Sequence, residues 1–417
     1  MEHSTKPFTA LASRYQRRFL GLALAIALAA CSQDTDTTSA DNASVETAQT
    51  TVTLTQWLDE QYETELQFSP IELTFLGRKE RNDELDAFTL EAFAEQLAWK
   101  TESVAQMKEL FDPEQLTDDE LLSFDLWAYQ LQRMQESEAF FYDGLVFDQM
   151  NGVQSFVPTF LINFHRVDNA DDMTAYIKRV KAVKPRMQEA IANAVKGAEK
   201  GVISPSFALD GTITQAQSII TGKPFDRNAE KDSDLWADMR LEVQTLLEAG
   251  TIDAIAAEQL TTQAKDALVN FLQPAYEDII QWAENEKDRA PKVSTGVGSQ
   301  PGGGAYYAYR LRSQTTTDLS ADEIHQIGLD EVARLRKDME AIKDQVGFVG
   351  SLSAFFEHVR DGEWNYYPNS DEGRQAYIDD ATAAIDGIKA ELPHYFGLLP
   401  QADLGVKRVE PVRAREG

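Results

Sequence analysis

From about residue 53 onward, apolar residues recur every three or four positions, the spacing that gathers them on one face of a helix. Leu54, Trp57, Leu58, Tyr62 and Leu66 form the first such set, which Ser69-Pro70 ends because a residue before proline disfavours the helical region. Phe93, Leu97, Val104, Met107, Leu110 and Phe111 predict a second helix over 88–111. Asp112-Pro113 predicts the start of a third, as an N-cap followed by proline at the first helical position. A loop of mixed character is expected over 142–166. A long helix then runs to Gly201, and Pro185 predicts a kink or two helices within it. Further helical stretches lead to 317–347, the clearest of all. There Ser320 and Glu323 make a capping box, and Gly347 occupies the C′ position. Between them Ile324, Gly328, Val332, Leu335, Met339, Ile342 and Val346 predict a buried stripe. Strand signals are scarce before 404–412, where alternation predicts a strand. The expected fold is mainly α, a large multi-helix body with a few short strands near its C-terminal end.

Composition agrees with a folded body. Of 417 residues, 43% are hydrophobic and 10% aromatic, enough for a substantial core. The net charge of −30, from 39 Lys and Arg against 69 Asp and Glu, argues against nucleic acid as a partner. One cysteine excludes an intrachain disulfide and a cysteine-based zinc site.

That cysteine, Cys31, closes a basic-then-apolar segment: Arg14, Arg17 and Arg18, then an apolar run from Phe19 to Ala30. The run suits a signal peptide and is too short to span a bilayer stably. Leu28-Ala29-Ala30-Cys31 resembles the lipobox of bacterial lipoproteins. The resemblance implies a signal peptide over 1–30, acylated Cys31 as lipid attachment, and membrane partnership through it. Ser32 in the next position implies the outer membrane, facing the periplasm. Residues 32–50 have no large apolar residue except Val45, so 31–52 reads as a flexible tether reaching about 25 Å.

Motifs for chemistry are few. There is no Gly-x-Ser-x-Gly, and the glycines of 296–304 lack the lysine of a phosphate loop, so they read as a connector. The five histidines, His3, His165, His325, His358 and His394, include no pair at the spacing that shares a zinc ion. One cluster stands out. Tyr306, Tyr307, Tyr309, Arg310 and Arg312 alternate on what reads as an extended segment, followed by Thr315–Thr317 and then His325. Such a segment presents guanidinium to a peptide carboxylate on one face while aromatics pack on the other, or its arginines simply pair with acidic helices. Tyr307, Arg310, Arg312 and His325 are the candidate substrate-binding residues.

The stretches 305–335, 346–352 and 392–411 resemble the bacterial domain-of-unknown-function family 885, with earlier landmarks at 69–77, 164–180 and 200–209. Its members are secreted proteins and lipoproteins grouped with the gluzincin zinc metallopeptidases. The resemblance implies zinc held by a His-Glu-x-x-Pro-Gly-His sequence downstream of the strand at 404–412, with the glutamate as general base. That sequence does not occur in this chain. The expectation is therefore a helical peptidase-like domain over 53–417, stopped before its zinc-binding segment, with no catalytic residue and no metal or cofactor of its own. The alternative is a complete tethered helical peptide-binding or scaffold lipoprotein.

Overall fold

The computed structural model describes residues 52–406, and their regular secondary structure is almost entirely helical. The signal segment, Cys31 and the tether to residue 51 lie outside the described residues, as do 407–417, which hold most of the expected strand. Residues 404–406 are not in a strand, and an isolated bridge between Lys223 and Asp232 is the β pairing among the described residues.

Local signals set the helix ends. Helix α1 (Leu54–Leu66) is capped by a Thr53/Gln56 box, and α2 (Pro70–Phe75) starts at proline with Ser69 as its cap. After α3 (Leu90–Leu110), Asp112-Pro113 opens a single 3₁₀ turn. The long helix α4 (Asp118–Glu138) begins later, at a Thr117/Glu120 capping box, because four backbone N–H groups there gain two side-chain partners. Leu54, Trp57, Val104, Met107, Phe124 and Trp127 from α1, α3 and α4 form a small core.

The main core is built on α6 (Ala170–Glu199), about 45 Å long at 1.5 Å per residue. It is one continuous helix through Pro185, which corrects the expectation of two helices. Val180, Val183, Met187 and Ala190 are buried on both sides of the proline, and that burial outweighs one lost backbone hydrogen bond. Helix α5 (Val153–Phe164) replaces part of the loop expected over 142–166, with Val157, Phe160 and Leu161 buried against α6. Around them pack α7 (Ser206–Ile219), α8 (Asp234–Glu248), α9 (Ala254–Ala267), a π turn over Leu268–Leu272, and α10 (Gln273–Glu286).

Four more helices follow: α11 (Gly303–Thr315), α12 (Ala321–Gln345), α13 (Leu352–Asp361) and α14 (Asp371–Glu391). Of their large apolar residues only Tyr309 and Leu352 are buried. The stripe on α12 is therefore not buried as expected: Val332 is 65% exposed, Ile342 52% and Val346 63%. Amphipathic spacing says which face of a helix favours cover; it cannot say that a neighbour is there to supply it. The capping box and the C′ glycine of α12 form as expected, with Gly347 at φ 74°.

Candidate functional site

The Tyr/Arg segment is helical, which corrects the extended reading. Ala305, Ala308 and Leu311 are good helix formers interspersed with the tyrosines and arginines, and Gly302 at φ 72° starts the turn. Gly303 has no room for a side chain, since a Cβ would lie 1.9 Å from the Val297 carbonyl oxygen. The inner face of α11 rests on the end of α4. Tyr309 stacks on Phe140 at 4.8 Å, Tyr306 lies 5.8 Å from the same ring, and Arg133 donates to Ser313 and to the Arg312 carbonyl. Partial burial holds the Tyr306 phenol above its ordinary pKa.

That anchoring decides where the candidates point. Tyr307 and Arg310, one turn apart, are exposed on the outer ridge. Arg312 is exposed too, but two residues along a helix is about 200° around it, so the two guanidinium groups cannot grip one carboxylate. His325 is exposed on α12 beyond a separate cap. The structure thus joins Tyr307 with Arg310 and separates Arg312 and His325 from them. Neither arginine has an ion-pair partner among the described residues. The ridge can present one cation and one phenol to an anionic, partly apolar ligand.

The zinc implied by the family resemblance finds no donor set among the described residues. Among the described residues no group of three or more His, Cys, Asp or Glu is placed to hold a metal ion. His358 stacks on Phe348 at 5.2 Å, and His394 lies 3.6 Å from Glu391. His165 is buried, with its Nδ1 3.0 Å from Arg179 and its Nε2 3.1 Å from the Asp172 carbonyl. Its burial pushes its pKa down to about 4. The described residues do not fit a zinc site.

The most elaborate polar cluster was not legible in the sequence. Arg179, inside α6, is fully buried and donates to the carbonyls of Glu84 (2.8 Å) and Pro70 (3.2 Å) and to Asn82 Oδ1 (3.0 Å) and Thr74 Oγ1 (2.7 Å). Burial lowers its pKa to about 10, so it stays charged at neutral pH. It ties the segment 70–84 to the main core. Nearby on the same helix, Tyr176 donates to Asp238 (2.7 Å), whose carboxyl is raised by burial to about 6. An open cleft of about 580 Å³ lies beside the π turn, lined by Ile220, Thr221, Phe225, Asp226, Lys231 and Gln273 among others. Its one hydroxyl, on Thr221, donates to the Gln217 carbonyl (2.7 Å).

No helix among the described residues is long and apolar enough to cross a membrane. Residues 70–417 match the family described as "Bacterial protein of unknown function (DUF885)". Among solved structures the fold is similar to "the putative lipoprotein from Colwellia psychrerythraea", with a TM-score of 0.71 at 19% identity. The match covers 88% of this chain and 64% of that one, so this chain spans about two thirds of its length. At that identity the likeness is one of fold. No curated protein matches.

Proposed function

This chain belongs to the DUF885 family of bacterial proteins, and from that premise we propose that it is a non-catalytic helical part of a zinc-metallopeptidase-like lipoprotein of the cell envelope. On this reading acylated Cys31 anchors it to the outer membrane, facing the periplasm. Its helical body supplies one wall of a peptide-binding cleft and no metal ligand. The observation that carries the peptide reading is the outward ridge of α11. An unpaired guanidinium, Arg310, stands one turn from an exposed phenol, Tyr307, on a helix whose other face is fixed by the Phe140–Tyr309 stack. A fixed cation beside an aromatic surface suits a carboxylate attached to an apolar side chain.

Calorimetric titration of the full chain with short peptides tests this. Saturable binding is expected for a peptide ending in a free carboxylate and at least about tenfold weaker binding for its amide. Arg310→Ala removes the difference, and Arg312→Ala keeps it because that side chain points elsewhere. Equal affinity for acid and amide contradicts the assignment. A second reading, a tethered peptide-binding or scaffold protein with no hydrolytic partner, is favoured by one observation: the apolar stripe on α12 that no described element covers.

A further inference from the structure

We propose that α12 is a self-association helix that pairs in parallel with α12 of a second copy of this chain. This is independent of the peptide reading of α11. The helix is 25 residues long, about 37 Å, and none of its residues is buried. Its apolar positions do not merely share a face. Val332, Leu335, Met339 and Ile342, with Val346 at the C-cap just past the helix end, are spaced three, four, three and four apart, which is the a/d seam of a heptad repeat. Val332, Met339 and Val346 occupy a positions; Leu335 and Ile342 occupy d. All five are exposed. The seam begins after Gly328, which brings no side chain to the first d position.

The flanking charges select the occupant. The g positions beside the seam are acidic, Glu331 and Asp338, and the e positions are basic, Arg336 and Lys343. In a parallel pair of identical helices, each g residue faces the e residue five positions later on the other strand. Glu331 then meets Arg336 of the second copy, and Asp338 meets its Lys343. An antiparallel pair would set g against g, acid against acid. The pattern is complementary to itself in one orientation only.

Within the chain, Arg334 bridges Glu331 (2.8 Å) and Asp338 (2.9 Å), and Lys343 reaches Glu340 (2.9 Å). The Arg334 pairs are exposed and cheap to share, and Arg336 has no ion-pair partner among the described residues; Lys343, 13% exposed, also reaches Asp344 (3.3 Å) and the Gly350 carbonyl (3.2 Å) and exchanges those contacts for the second copy's Asp338. The bridging Arg334 holds both carboxylates at the edge of the seam, where the second copy's bases would come.

The test uses the full chain in excess detergent. Leu335→Cys and Ile342→Cys, introduced singly, are each expected to give a disulfide-linked dimer on mild oxidation. Lys337→Cys, on the opposite face, and the parent with Cys31 alone are expected to give none. Parallel pairing places every residue opposite its own copy, so both positions cross-link; an antiparallel pair allows one at most. In sedimentation equilibrium, Glu331→Lys with Asp338→Lys should weaken self-association at least about tenfold, and so should Arg336→Glu with Lys343→Glu. Mixing the two variants should restore it as a mixed dimer, a result that lost folding could not produce. A parent chain monomeric at roughly 100 µM overturns the proposal, as does cross-linking at one seam position alone or a mixture no tighter than its components.

Discussion

Replacing Arg179 with alanine should detach residues 70–84 from the core and cost the protein a large part of its stability. The side chain is fully buried, lies 5.1 Å from the Phe160 ring centroid, and serves four acceptors within residues 70–84, a segment far from it in sequence. Pro70 O keeps a second donor, Thr74 Oγ1 at 3.0 Å, but Asn82 Oδ1 and the Glu84 carbonyl lose theirs. At about 1–3 kcal/mol for each acceptor left dry, with a cavity beside Phe160 added, the loss is about 3–5 kcal/mol. With a urea slope of about 3 kcal/mol/M, the unfolding midpoint followed by circular dichroism should fall by at least about 1 M. Trypsin should then cut the native variant at Arg78, Lys79 or Arg81. Arg179→Lys should recover little, because one ammonium cannot span acceptors arranged around a planar fork. A midpoint shift below about 0.3 M, with no new cleavage, would refute the hub.

Two titrating groups give opposite pH dependences. His165 is depressed to about 4, so the folded state binds fewer protons than the unfolded state between about 4 and 6.5. Its contribution to stability is lost as pH falls through that window, and the melting temperature of His165→Gln should respond less to acid than the parent's. Asp238 is raised to about 6, so the folded state holds its proton more tightly and its ionisation above pH 6 opposes folding. Asp238→Asn should stabilise by about 1–2 kcal/mol at pH 8, read from urea midpoints, with the gain vanishing near pH 4. Gly303→Ala drives a methyl against the Val297 carbonyl and should lower the melting temperature by several degrees, about 2 kcal/mol of strain at this size. An unchanged melting temperature would contradict the tight turn.

Helix ends were the most legible feature of the sequence, because caps are local. Ser320 with Glu323, Ser69 before Pro70, and the glycines at 201 and 347 each act within one turn of the chain. Burial was less legible, because it depends on neighbours far away in sequence. The α12 stripe reads as core by its spacing, yet it faces water throughout the described structure. The Tyr/Arg segment misled differently. Its alternation of aromatic and basic residues suggests a strand, while the alanines and leucine between them favour the helix that forms. Arg179 gave no signal at all. In "YIKRVKAVK" it looks like one more surface base, and only the folded chain brings Asn82, Thr74 and His165 to it.

A chain that contributes a helical wall to a peptidase-like protein and no zinc ligand of its own should not retain the metal. Zinc titration of the purified full chain, with metal counted per chain after dialysis, is then expected to give no saturable one-to-one binding at micromolar free zinc and no peptide hydrolysis on loading. One zinc retained per chain, released by His325→Ala or His358→Ala, would contradict it.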